Sequence, residues 1–81
     1  MTIRELRNVS TGIMKTAELI VIDNGNKATL SLREYDNYRK YADSEIILLE
    51  QGVYTDNHSD NSITVKPKLI IYVYEKGEQN D

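Results

Sequence analysis

The 81-residue chain has no cysteine, tryptophan or phenylalanine, and it holds one histidine, one proline and four glycines. Without cysteine there is no disulfide, no thiolate metal site and no thiol nucleophile. The glycines stand apart at 12, 25, 52 and 77, so no glycine-rich loop is present to cradle a phosphate. His58 is the only imidazole that could activate a Ser or Thr. Long apolar runs are also missing. The longest, Leu19 to Ile22, Ile46 to Leu49 and Leu69 to Tyr74, are strand-length and far below the roughly 20 residues that cross a bilayer. Arg4, Glu5 and Arg7 stand where a signal peptide would carry its apolar core. The expectation is a soluble protein of the cytoplasm with no membrane partner and no cofactor.

A chain of this length makes one core and is marginal alone, because ordering costs about 1.5 kcal/mol per residue against a similar gain from burial. With disulfides and thiolate metal sites excluded, oligomerisation is the remaining support. Residues 1–76 are expected to form one domain, with 77–81 as a frayed tail.

Charge is sorted along the chain. Residues 1–42 hold seven basic and five acidic residues, a balance of +2, whereas 43–81 hold three and eight, a balance of -5. From Asp43 to Asp60 the chain carries Asp43, Glu45, Glu50, Asp56 and Asp60 and neither Lys nor Arg. Such a segment favours a basic partner.

The expected architecture is α+β: a short N-terminal helix, a β-hairpin, a second short helix, then two to three strands, all in one mainly antiparallel sheet. Thr2-Ile3-Arg4-Glu5 and Ser31-Leu32-Arg33-Glu34 both read as capping boxes. Ile3, Leu6 and Val9 form the inner face of the first helix, with Gly12 as its stop; Leu32, Tyr35, Tyr38 and Ala42 form that of the second. Asn24-Gly25 is a two-residue hairpin signal between Glu18 to Asp23 and Lys27 to Ser31, pairing Leu19 with Leu30 and Val21 with Ala28 on the deeper face. Glu45 to Glu50 and Lys68 to Glu75 read as strands, and Gln51 to Asn61 as a polar loop with an extended piece at 53–55. Pro67 separates Ser62 to Lys66 from the last strand or marks an edge or bulge. The last strand is apolar on both faces, so it is central or covered twice. Two short helices cover one face of a sheet; the other is covered by a second copy of the chain or by the segment 51–61 folding across it.

Asp56-Asn57-His58-Ser59-Asp60 groups the histidine with two carboxylates, but the third, sixth and twelfth positions of a calcium loop would be His58, Asn61 and Pro67, which excludes that motif. One His is a poor set for zinc, so no metal is expected. Glu45 and Glu50 lie five residues apart on an extended segment and point to opposite faces, which disfavours a carboxylate dyad. No catalytic residues are assigned, and the expectation is a protein without enzymatic activity. Arg33, Tyr35, Tyr38, Arg39, Lys40 and Tyr41 come nearest to a nucleic-acid stripe, yet a pI near 5.1 opposes direct nucleic-acid binding. Tyr54, inside the acidic segment, is an interface candidate as a rigid amphipathic ring, or else it packs on its own sheet.

Thr2-Ile3-Arg4-Glu5-Leu6, Asp23-Asn24-Gly25-Asn26, Leu32-Arg33-Glu34-Tyr35, Asp43-Ser44-Glu45 and Lys68-Leu69-Ile70-Ile71-Tyr72-Val73 together resemble small accessory proteins of phages, prophages and conjugative elements of Gram-positive bacteria. That resemblance implies a mobile-element product, a class that includes anti-CRISPR and other anti-defence inhibitors. The leading expectation is a binding protein that uses Glu45, Glu50, Tyr54, Asp56 and Asp60 against a basic, nucleic-acid-handling host protein. The alternatives are an oligomeric binder of an anionic nucleotide signal, using Arg33, Arg39 and Lys40, and a structural or assembly accessory protein. A homodimer is compatible with all three.

Overall fold

The computed structural model describes residues 1–75, so the expected tail at 77–81 lies outside the described residues. The chain runs α1 (Ile3–Val9), a 3-10 turn (Thr11–Lys15), β1 (Glu18–Asp23), β2 (Asn26–Ser31), α2 (Tyr35–Tyr41), β3 (Leu48–Asn57) and β4 (Ile63–Tyr74). The strands form one α+β sheet in the order β2-β1-β4-β3. Its two hairpins, β1–β2 and β3–β4, are antiparallel, and they meet through a parallel β1–β4 pair. The sheet is therefore mixed, and β4 is central over the part that pairs with β1.

The first capping box forms. The Thr2 hydroxyl accepts from the Glu5 amide at 3.2 Å, and the Glu5 carboxylate accepts from the Thr2 amide at 2.8 Å. Those bonds hold the Glu5 carboxyl below its ordinary pKa. Seven residues are too few for a helix to persist by itself. Long-range bonds fix this one: the Arg4 amide donates to Ala42 O at 2.8 Å, and the Ile46 amide to Met1 O at 2.9 Å. Val9 departs from the expected inner face and is 77% exposed. Steps of three residues each fall short of a full helical turn, so Val9 ends about 120° from Ile3.

The second capping box does not form. Ser31 ends β2 opposite Glu18, and its hydroxyl accepts from the Arg33 amide at 3.2 Å. With Ser31 committed to the sheet, α2 begins only at Tyr35, and its N-cap Glu34 makes no side-chain cap bond. The helix consequently buries Tyr38 and Tyr41 and leaves Tyr35 exposed. Tyr41 donates to the Glu75 carboxylate at 2.9 Å, and burial together with that acceptor raises its pKa.

The β1–β2 hairpin follows the sequence pattern: Leu19 faces Leu30, Val21 faces Ala28, and the turn residues Asn24 and Gly25 take φ of 53° and 85°. Leu19, Val21, Ile71 and Val73 form the sheet side of the core, under Ile3 and Leu6 of α1, Met14 of the 3-10 turn and Tyr38 and Tyr41 of α2. All three helical segments lie on this one face.

The second hairpin differs from expectation. Instead of a strand over Glu45 to Glu50 followed by a loop, β3 starts at Leu48 and runs to Asn57, leaving only residues 58–62 as the connection. Segment 51–61 therefore extends the sheet's edge and does not fold over its second face. The polar composition that reads as a loop reflects a two-stranded ribbon with water on both sides, in which Val53, Tyr54 and Thr55 supply strand preference. Likewise β4 continues through Pro67. The His58 amide donates to Ser62 O at 3.0 Å, and the antiparallel ladder counted from that pair turns the Pro67 nitrogen away from β3. On the other side β1 joins β4 only from Ile70, so no ladder bond is lost.

Residues 63–69 of β4 and their partners on β3 thus project as an arm. The molecule extends 51 × 28 × 21 Å, and its Cα radius of gyration is 13.9 Å against about 12 Å for a compact chain of this length.

Candidate binding surfaces

The acidic residues expected to act together fall in three places. Glu45 lies far from the arm, bridged to Thr2, and its carboxylate accepts from the N-terminal ammonium at 3.0 Å, which raises that amine's pKa. Asp60 sits in the connection at the arm's tip, where its carboxylate accepts from the Ser62 hydroxyl at 2.6 Å and amide at 3.0 Å and is held below its ordinary pKa. Glu50, Tyr54 and Asp56 share one face of β3, because alternate residues of a strand point the same way.

That shared face carries compensating groups from the neighbouring strands. Lys66 lies 3.7 Å from Asp56, Lys68 donates to Glu18 of β1, and the Tyr72 hydroxyl donates to Glu50, which raises the Tyr72 pKa. Tyr54 is half-buried and borders a hollow of about 350 Å³ together with Glu18, Lys68, Lys15 and Arg33.

The opposite face of the arm was not foreseen. Val53 of β3 and Ile63 and Val65 of β4 are each more than 60% exposed there. The signal was available in the alternation of 53–57 and 63–67, but it depends on knowing that both segments are strands.

Arg33, Arg39 and Lys40 do not converge. Arg39 and Lys40 border an open hollow of about 440 Å³ with Asp43, Ser44 and Glu45, so acids face them. Arg33 borders a separate cleft of about 290 Å³ with Arg7, Lys15, Tyr35 and Tyr38, floored by Met14 and Leu32. Among the described residues no carboxylate lines it. The Arg7 guanidinium lies 4.6 Å from the centre of the Tyr38 ring, and the Tyr35 and Tyr38 rings are 6.0 Å apart. Arg7 and Lys15 were missed as members because their approach to Arg33 comes from the packing of α1 and the 3-10 turn against α2.

Among the described residues no three His, Cys, Asp or Glu side chains gather as a metal site. His58 instead lies 2.8 Å from the Thr64 hydroxyl, across the base of the connection. No helix among the described residues is long and apolar enough to cross a membrane. Comparisons with protein families, with characterised proteins and with solved structures find no match to this chain.

Proposed function

We propose that the protein is a non-catalytic binding protein that engages a protein partner with the β3–β4 arm. The observation that supports this reading is the arm itself, a two-stranded ribbon projecting from a small core with Val53, Ile63 and Val65 open on one side. Exposed apolar side chains on a projecting element serve recognition better than stability. Tyr54, Asp56 and Asp60 lie along the same arm and favour a partner with a basic surface, such as a nucleic-acid-handling protein whose cations ordinarily hold phosphate. The sequence resemblance adds the finer proposal that the chain comes from a phage or mobile element and inhibits a host defence protein in the host cytoplasm.

The test uses the immobilised chain to capture partners from a host lysate, read by mass spectrometry. Asp56→Lys with Asp60→Lys is expected to abolish capture of a specific partner, and Glu45→Lys to leave it intact. The reverse result would move the binding surface off the arm.

A second reading, binding of a small anionic nucleotide, is favoured by the cleft of Arg7, Lys15 and Arg33 beside the exposed Tyr35 ring. Cations without a lining carboxylate suit a phosphate, and the ring suits a base. A nucleoside monophosphate at 100 times its dissociation constant would add about 2.7 kcal/mol of stability. Thermal shifts against AMP, GMP and inorganic phosphate, repeated with Arg33→Gln, decide this reading; a flat panel removes it.

A further inference from the structure

We infer that the uncovered face of the sheet is the seat of a second copy of this chain. Alternation and register place Ile20 and Ile22 of β1, Ile70 and Tyr72 of β4 and Leu48 of β3 side by side on the face away from the helices. None of these five belongs to the buried core or is packed against it. Leu48 is 50% exposed, and the other four are half-buried, on a face over which the described residues place no second layer. A contiguous apolar block of this kind on a small domain marks an interaction surface.

Charge selects the occupant. The strand residues of this face include Glu18, Glu50 and Asp56 together with Lys27, Lys66 and Lys68, three charges of each sign, with Lys15 and Arg33 at its margin beside Tyr54, whereas the whole chain is at -3. Over the strand residues of this face the charges cancel, so its centre selects no partner of a single sign, and the basic partner proposed above is left the acidic end of the arm around Asp56 and Asp60. The cancellation does let two identical faces meet about a two-fold axis without like-charge repulsion, with ionic pairs at the rim and the apolar block at the centre.

Area gives the extent of the contact. Four strands spaced by about 4.8 Å and six residues long present roughly 19 × 20 Å, and the arm adds roughly 10 × 24 Å, on the order of 600 Å² in projection, while a stable dimer buries about 800 Å² of accessible surface per partner. Side-chain relief raises accessible area above projected area, so a face of this size is of the order a dimer needs, with the square portion at its centre. Strand addition along the open side of the outer half of β4 is disfavoured, because it presents Lys66-Pro67-Lys68. Gly52 contributes to the flatness of the face: a Cβ there would stand 2.8 Å from Cδ1 of Ile70, whose side chain leans across it.

The test is the mass in solution of the full chain over about a hundredfold range of concentration, by light scattering and sedimentation equilibrium. The expected result is a species of twice the 9.3 kDa chain mass that dissociates on dilution. Leu48→Glu and, separately, Thr29→Arg change residues that are already exposed, so folding should survive, as circular dichroism will check. Each is expected to raise the dimer dissociation constant about tenfold or more. Val53→Glu, on the opposite side of the arm, is expected to leave it unchanged. A chain that stays at its monomer mass throughout overturns the inference, even if another protein then binds this face. So does a dimer that survives both face variants, or one broken by Val53→Glu alone.

Discussion

The two halves of β4 share an Ile-x-Val repeat, Ile63-Thr64-Val65 and Ile71-Tyr72-Val73, in different surroundings. Ile70 to Tyr72 is flanked by β1 and β3, Val73 and Tyr74 pair with β1, and helices lie over the Ile71 and Val73 side; Ile63 to Leu69 has β3 alone and no layer of described residues above Val65. Ile71 and Val73 are fully buried, while Ile63 and Val65 are about 64% and 63% exposed. Both repeats carry β-branched residues that favour a strand. The difference teaches that the alternating apolar pattern makes a strand, whereas burial depends on what the remainder of the chain has left to place over it.

The contrast predicts a steep gradient of mutational effects. Ile71→Ala removes a fully buried side chain and should cost about 2–5 kcal/mol, close to the whole stability of so small a domain. Val65→Ala should cost under about 0.5 kcal/mol, as for other exposed positions. Urea denaturation of both variants measures this, and similar costs would mean that the arm is covered in solution. At an intermediate level, Thr2→Ala deletes the one capping box that forms and should lose about 1 kcal/mol, with faster amide exchange confined to α1 and the Ala42 to Ile46 segment bonded to it. Tyr41→Phe removes the hydroxyl bonded to Glu75 and should lose about 1 kcal/mol or somewhat more, felt in the core half alone.

The smallest expected effect is on pH dependence. Folding raises the pKa of the N-terminal amine, through Glu45, and of Tyr41 and Tyr72. A raised folded pKa means that the native state holds its proton longer. The corresponding stability is therefore complete below the unfolded pKa of each group and is lost as pH rises through the folded value. Glu5 and Asp60 are lowered, so their contribution is complete above the unfolded carboxylate pKa and is lost as pH falls through the folded one. Thermal melts across pH should show both declines, and acetylating the amine should remove the Met1–Glu45 part of the alkaline decline.

The legible features were those set by neighbours in sequence. Asn24-Gly25 specifies its turn by backbone sterics, and the register of β1 and β2 follows from it; the Thr2 cap and the burial of Leu19 and Val21 are of the same kind. Apart from Val9, where the helical angle decides, the departures share one cause, competition from a distant partner. Ser31 could cap a helix or end a strand, and pairing with Glu18 prevailed. Gln51 to Asn57 reads as a loop until Ile63 to Leu69 lies beside it. At the candidate surfaces, the sequence located Tyr54, Asp56 and Asp60 near one another but could not separate Glu45 from them or bring Arg7 to Arg33.

By itself, then, the sequence determined the α+β class, the first cap, the first hairpin and the two-sided apolar character of the last strand, since each rests on local sterics or on a period of two. Tertiary structure alone decided that β1 runs parallel to β4 and that the second hairpin outruns the core. With only fourteen residues in two short helices, there is too little chain to cover more than one side of half a sheet.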